Sequence, residues 1–188
     1  EYMFTHHTNE TGYQGLCVDN EYYYYFEGNS FNLYKRSLRT NELINTYNIP
    51  NFGHGNDLAI INNKIYNVNM YDKYINIYDL DSFSLSTLDC LAYYPDMNNC
   101  CSITKYDDSH LLVALTPNPL GVYTAKIDDL KFVKVDIIND TYEDLTMTYD
   151  VNVDSTSVLQ SMEYYDGNLY FVTSQTTMIT QFVEINST

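Results

Sequence analysis

Four copies of one short pattern constrain this chain more than any other feature. Each copy starts from an amide side chain at the head of an apolar strand: Gln14, Asn56, Asn99 and Gln160. An apolar or sulfur residue follows two positions on, at Leu16, Leu58, Cys101 and Met162. A turn pair then comes before a second apolar strand. The pairs are Asp19-Asn20, Asn62-Asn63, Asp107-Asp108 and Asp166-Gly167, residue types that make tight hairpins. The second strands are Tyr22–Phe26, Ile65–Val68, Leu111–Leu115 and Leu169–Val172. Anchor spacings are 42, 43 and 61 residues. The first two match the period of a four-stranded propeller blade, roughly 40–45 residues.

Third strands are expected at Phe31–Tyr34, Tyr74–Tyr78, Gly121–Ala125 and Ile179–Val183. The alternation Ile75-Asn76-Ile77 is the period-two sign of a half-buried strand. Outer strands are expected at Leu43–Tyr47, Leu85–Leu88 and Phe132–Asp136. The fourth unit runs out of chain before its outer strand, and Tyr2–His6 is the unassigned stretch that could supply it. This predicts an all-β propeller of four blades of four antiparallel strands, the N-terminal strand closing the last blade. The divisions are 1–8 for that strand, 11–50, 51–91 and 92–139 for blades one to three, 140–158 for an insertion, and 159–188 for blade four. Four blades of a larger ring is the alternative.

Composition agrees. The 188 residues hold 21 Tyr, 8 Phe, no Trp, 21 Asn and 4 Ala. Aromatic residues suit strands, Asn suits turns, and scarce Ala argues against a helical bundle. Lys and Arg number 9 against 25 Asp and Glu, a net charge of −16. That balance disfavours nucleic acid and anionic membrane as partners. The basic cluster Lys35-Arg36-Ser37-Leu38-Arg39 reads as a solvated strand end. No apolar run is long enough to span a bilayer as a helix. Cys17, Cys90, Cys100 and Cys101 read as small buried residues rather than a disulfide framework. The opening Glu1-Tyr2-Met3 fits either a segment of a longer protein or a short addition before a native Met3.

In propellers the first strand of each blade lines the central channel. The expected ligand-binding set is therefore Gln14, His54, Asn56, Asp57, Asn99 and Gln160 at one channel mouth. Amides with one carboxylate and one imidazole suit a neutral polar ligand. In Gly53-His54-Gly55-Asn56-Asp57 the glycines would let the imidazole approach a ligand closely. His54 and Asp57 could also do acid–base chemistry, with Glu163 as a further candidate, but no nucleophile motif accompanies them. Asp79-Leu80-Asp81-Ser82 reads as a turn, since it lacks the glycine and distal glutamate of a calcium loop. His6-His7 and His110 read as surface residues. No cofactor and no metal are expected. Residues 140–158 carry Glu143, Asp144, Asp150 and Asp154 and read as a loop or extra hairpin. Tyrosines near loops, among them Tyr71, Tyr74, Tyr93, Tyr94 and Tyr142, offer stacking faces for sugars or proteins.

The segments Gly12-Tyr13-Gln14-Gly15-Leu16-Cys17-Val18-Asp19 and Gly53-His54-Gly55-Asn56-Asp57-Leu58 resemble the propeller modules of bacteriophage tail and tail-fibre proteins. They are more distantly similar to five-bladed glutaminyl-peptide cyclotransferases, which open a blade with Thr-Gln-Gly-Leu; here Tyr13 stands in place of that Thr. The Asn- and Tyr-rich composition is consistent with a phage of low G+C content. The resemblance implies a non-enzymatic binding module for a host-surface carbohydrate, a polar small molecule or a host protein. It also implies possible assembly into a tail, and a place in the virion tail or the host cytoplasm. Its alternatives are an enzyme of cyclotransferase or carbohydrate-active type and a structural protein-interaction propeller.

Overall fold

The computed structural model describes residues 13–27, 31–53, 55–69, 73–118, 125–149, 158–174 and 179–185. They form four antiparallel four-stranded sheets. The first is β1 (Tyr13–Val18), β2 (Tyr22–Glu27), β3 (Asn32–Ser37) and β4 (Leu43–Asn48), in that order. The second is β5 (Asp57–Ile61), β6 (Lys64–Val68), β7 (Ile75–Asp79) and β8 (Leu85–Leu88). The third is β9 (Asn99–Lys105), β10 (His110–Thr116), β11 (Lys131–Asp136) and β12 (Thr141–Leu145). In the fourth, β13 (Met147–Tyr149) pairs with β16 (Ile179–Ile185), which pairs with β15 (Asn168–Ser174) and then β14 (Val158–Tyr165).

Two hairpins behave as their turn pairs predict. Asn62 and Asn63 take φ of 49° and 61°, and Asp166 and Gly167 take 50° and 80°. Asn, Asp and Gly tolerate this left-handed region, which matches the twist of the flanking strands. The connection between third and fourth strands repeats too. Ser37, Asp79 and Asp136 each accept the backbone N–H groups two and three residues on, at 2.9–3.2 Å. A left-handed residue follows four positions after each: Asn41, Phe83 and Asp140. These self-capped turns satisfy backbone donors where the ladder stops. Asp79-Leu80-Asp81-Ser82 is one of them.

The sheets stack face to face, and the core lies between them. Tyr24, Phe26 and Leu33 of the first sheet pack on Leu58, Ile60 and Ile65 of the second. Ala59, Ile61 and Val68 of the second pack on Ile103, Val113 and Val133 of the third. Leu112, Ala114 and Phe132 of the third pack on Leu159, Met162 and Phe171 of the fourth. Each Val, Leu, Ile, Met or Phe side chain among them contributes about 1.5–3 kcal/mol by leaving water. Among the described residues no such cluster joins the fourth sheet to the first.

The third unit departs from the sequence reading. Phe132–Asp136 belongs to β11, the third strand rather than the outer one. The outer place belongs to β12, and β13 is outermost in the fourth sheet. Both come from the segment read as an insertion. The reason is the connection after β10, which runs from Pro117 to Leu130 and contains a 3₁₀ turn at Ile127–Asp129. It carries the strand-like run Gly121–Ala125, of which 121–124 lie outside the described residues. The N-terminal closing strand, residues 1–8, lies outside them as well.

Candidate functional site

Strand β1, β9 and β14 each carry a bulge, at Gly15, Cys101 and Gln160. A bulge adds one residue to one strand and moves all later side chains by one place. Strand β5 has none. Counting from the bulges and hairpins brings Leu16, Asp57, Ser102 and Ser161 to one level, and Val18, Ala59, Thr104 and Glu163 to the next.

Asp57 is the centre of the first level. It is 1% exposed, yet five groups donate to its carboxylate. Oδ1 accepts from its neighbour Leu58 N–H at 3.1 Å and from Ser161 Oγ at 3.0 Å. Oδ2 accepts from Ser102 Oγ, from Ile103 N–H at 3.1 Å and from Met162 N–H at 3.3 Å. One side chain thus ties the inner strands of the second, third and fourth sheets. Burial pushes its pKa up to about 7, and the donors pull back towards the charged form. Ionic charge within a low-dielectric core is costly, so this tether works against its own desolvation.

The next level holds a smaller polar chain. Thr104 Oγ1 donates to Glu163 Oε2 at 3.1 Å and accepts from Tyr164 N–H at 3.2 Å. Glu163 is exposed along its side chain, but its carboxylate rests on buried Thr104, and burial raises its pKa. Burial raises the thiol of Cys17, and the charges of Asp57 and Glu163 add to this.

The six expected ligand residues are distributed as follows. Asp57 is the buried tether. Asn56 donates from Nδ2 to Cys101 C=O at 2.9 Å, linking β5 to β9. Gln160 sits on the β14 bulge and is half-buried. Asn99 opens β9, opposite Thr116, and is buried. Gln14 lies on β1 opposite Phe26. Asn56 and Gln160 share one level, whereas Gln14 and Asn99 fall one and two residues earlier because of the bulges. His54 lies outside the described residues.

The glycines around His54 serve close packing. A Cβ on Gly53 would stand 2.1 Å from Asn69 Nδ2, and one on Gly55 would stand 2.6 Å from Phe26 Cδ1. Buried Asn67 and Asn76 both donate to Phe52 C=O, at 2.6 and 3.3 Å. Phe52 itself packs edge-on to Phe26 and Tyr78. The loop is therefore pinned to the second sheet by amides and aromatic contacts. His110 is half-buried rather than a free surface group, with Nδ1 2.8 Å from Asp107 and Nε2 3.8 Å from Asp136. Among the described residues no group of three or more His, Cys, Asp or Glu is placed to hold a metal ion.

What the sequence reading missed is a bare face. On the middle inner strands Ala59, Ile61 and Thr104 are at most 2% exposed. On the first and last inner strands Leu16, Val18 and Tyr165 are 51, 49 and 70% exposed. The sequence carries no local signal for it, since exposed Val18 is as apolar as its buried counterpart Ala59.

A scan against protein-family models finds no match, and a search of the curated proteins finds none. Solved structures do match. A chain of the nidogen/laminin complex superposes with a TM-score of 0.62 at 14% identity, over 89% of this chain and 74% of that one. That chain is a β-propeller. The fold is a β-propeller, of which the described residues form four blades. The extracellular domain of a one-component system of B. thetaiotaomicron superposes with a TM-score of 0.51 at 16% identity, over 91% of this chain. A hybrid two-component counterpart gives 0.50 at 16% identity over 97%. This chain spans 21% and 24% of those two proteins, so the propeller corresponds to a part of each.

Proposed function

We propose that this propeller is a non-enzymatic binding module that takes a protein segment bearing basic and apolar side chains. The segment lies on the uncovered inner-strand faces of the first and last blades. The exposure of Leu16, Val18 and Tyr165, at positions that are buried in the middle blades, carries the reading. Leu16 and Val18 lie on one face of β1, and large exposed apolar groups of this kind mark interaction sites. Glu163 on the same face of β14 and the net charge of −16 favour a cationic partner. Beside this face Asp57 accepts from Ser102 and Ser161, tying the inner strands of the second, third and fourth blades.

Peptides alternating Lys and Leu, followed by fluorescence anisotropy, test this. Leu16→Ser with Tyr165→Ser weakens binding at least about tenfold, and added salt weakens it further. Phe83→Ser, in a distant rim turn, leaves it unchanged. Equal binding by the double variant and the parent contradicts the reading. A polar small molecule held near His54, Asn56 and Gln160 is the rival partner. Asn56→Ala with Gln160→Ala then abolishes ligand-dependent thermal shifts while leaving peptide binding intact. A host-surface glycan recognised within a phage tail is a narrower choice of partner, and a glycan array separates it from a peptide.

A further inference from the structure

The four cysteines are not equivalent. Cys17 packs between the first and second blades, and Cys101 between the third and fourth, its thiol 3.3 Å from Ala114 C=O. Cys90 and Cys100 share the remaining interface, between the second and third blades. Adjacent residues of a strand point to opposite faces, which sends Cys100 and Cys101 into different cores. Cys90 opens the 3₁₀ turn Cys90–Tyr93, whose start is fixed by Asp89 accepting Ala92 N–H at 3.2 Å. That turn packs on β9, where Cys100 lies. Both residues are 0% exposed and both are free thiols. Cys100 Sγ donates to Lys73 C=O at 3.9 Å, and the neighbouring Cys90 thiol together with burial pushes the Cys100 thiol up.

We propose that Cys90 and Cys100 form a disulfide when the chain folds in the presence of a low-molecular-weight disulfide. The bond clamps the linker between blades two and three onto the inner strand of blade three. It is independent of the binding surface above. One cysteine thiolate attacks the small disulfide RSSR, giving a protein mixed disulfide and releasing RS⁻. The other cysteine, deprotonated in turn, attacks the protein sulfur of that mixed disulfide and releases the second RS⁻. Two thiols lose two electrons, one RSSR becomes two RSH, and the two protons end on the released thiolates. Burial and a protonated thiol make attack slow in the closed fold, because the thiolate is the nucleophile. The exchange therefore belongs to folding or to an opened state. A bond so enclosed resists reduction afterwards.

The test is refolding of the full chain in oxidised and reduced glutathione, followed by alkylation in denaturant and intact mass analysis. Two of the four cysteines escape alkylation, the protein mass before alkylation falls by about 2 Da, and the melting temperature rises by about 5 °C. Cleavage after Tyr93 and Tyr94 then leaves Cys90 and Cys100 on separate peptides joined by the bond. The link persists in Cys17→Ser and in Cys101→Ser and disappears in Cys90→Ser. Four alkylatable thiols in the refolded wild-type chain overturn the proposal. So does a link that uses Cys17 or Cys101, or glutathione retained as a mixed adduct. Because the wild-type chain gives the deciding result, a variant that fails to fold does not obscure it.

Discussion

The two middle inner strands and the two end ones hold corresponding places in their blades, yet they live in different solvents. In β5 all five residues are buried, and in β9 all but the last are. In β1 and β14 one face is buried and the other is largely in water. Cys17, Leu159 and Met162 supply the buried face. The middle strands spend their polar groups inside the fold: Asp57 and Asn56 hold β5 to β9, and Asp57 and Thr104 hold both to β14. The end strands present Leu16, Val18, Glu163 and Tyr165 outward. Among the described residues, position along the repeat, rather than local sequence, separates the buried inner-strand residues from the exposed ones.

The sharpest way to break that contrast is to substitute equivalent positions. Asp57→Ala leaves the hydroxyls of Ser102 and Ser161 and the N–H groups of Ile103 and Met162 without their acceptor. Urea unfolding should show a loss of about 3–5 kcal/mol. Leu16→Ser, at the same level of the first blade, should change stability by less than about 1 kcal/mol. A smaller effect is expected further along the strands. Ile61→Ala opens a cavity between blades two and three and costs about 2–4 kcal/mol, against under about 1 kcal/mol for Tyr165→Ala at the same level of the last blade. The smallest effect falls on the rim. Asp136→Ala removes the acceptor of the Ile138 and Asn139 N–H groups and costs about 1 kcal/mol by thermal melting. Its carboxyl is held near a pKa of about 2 by Asn139, and His110 adds to this.

Much of the architecture was legible in the chain. Apolar runs framed by Asn62-Asn63 and Asp166-Gly167 marked hairpins because those residues accept positive φ cheaply. The spacing marked four units. The third unit was harder, since a long connection after β10 carries apolar residues at strand-like spacing. Bulges at Gly15, Cys101 and Gln160 were invisible because a bulge is a property of two paired strands. That is why Gln14 and Asn99 were grouped with Asn56 and Gln160. Asp57 stood out as a lone acid at the head of an apolar strand. Its role did not, because Ser102 and Ser161 lie 45 and 104 residues away. The contact of Cys90 with Cys100 was equally unreadable, depending on how a short turn folds back on β9.

At the centre of the account is a buried carboxylate that joins three blades with hydrogen bonds and, among the described residues, no ion pair. Its folded pKa lies above the ordinary value of 3.8, at about 7. Protonated Asp57 is thus favoured by folding. Its contribution to stability is complete below the unfolded pKa and is lost as pH rises through about 7. Acids held low, such as Asp79, Asp107 and Asp144, act in the opposite sense, their contribution lost as pH falls. The comparison that isolates Asp57 is urea unfolding of the wild type and Asp57→Asn from pH 4 to pH 8. Stability of the wild type relative to the variant should fall by about 2–4 kcal/mol across that range. A difference that stays constant with pH would contradict the account.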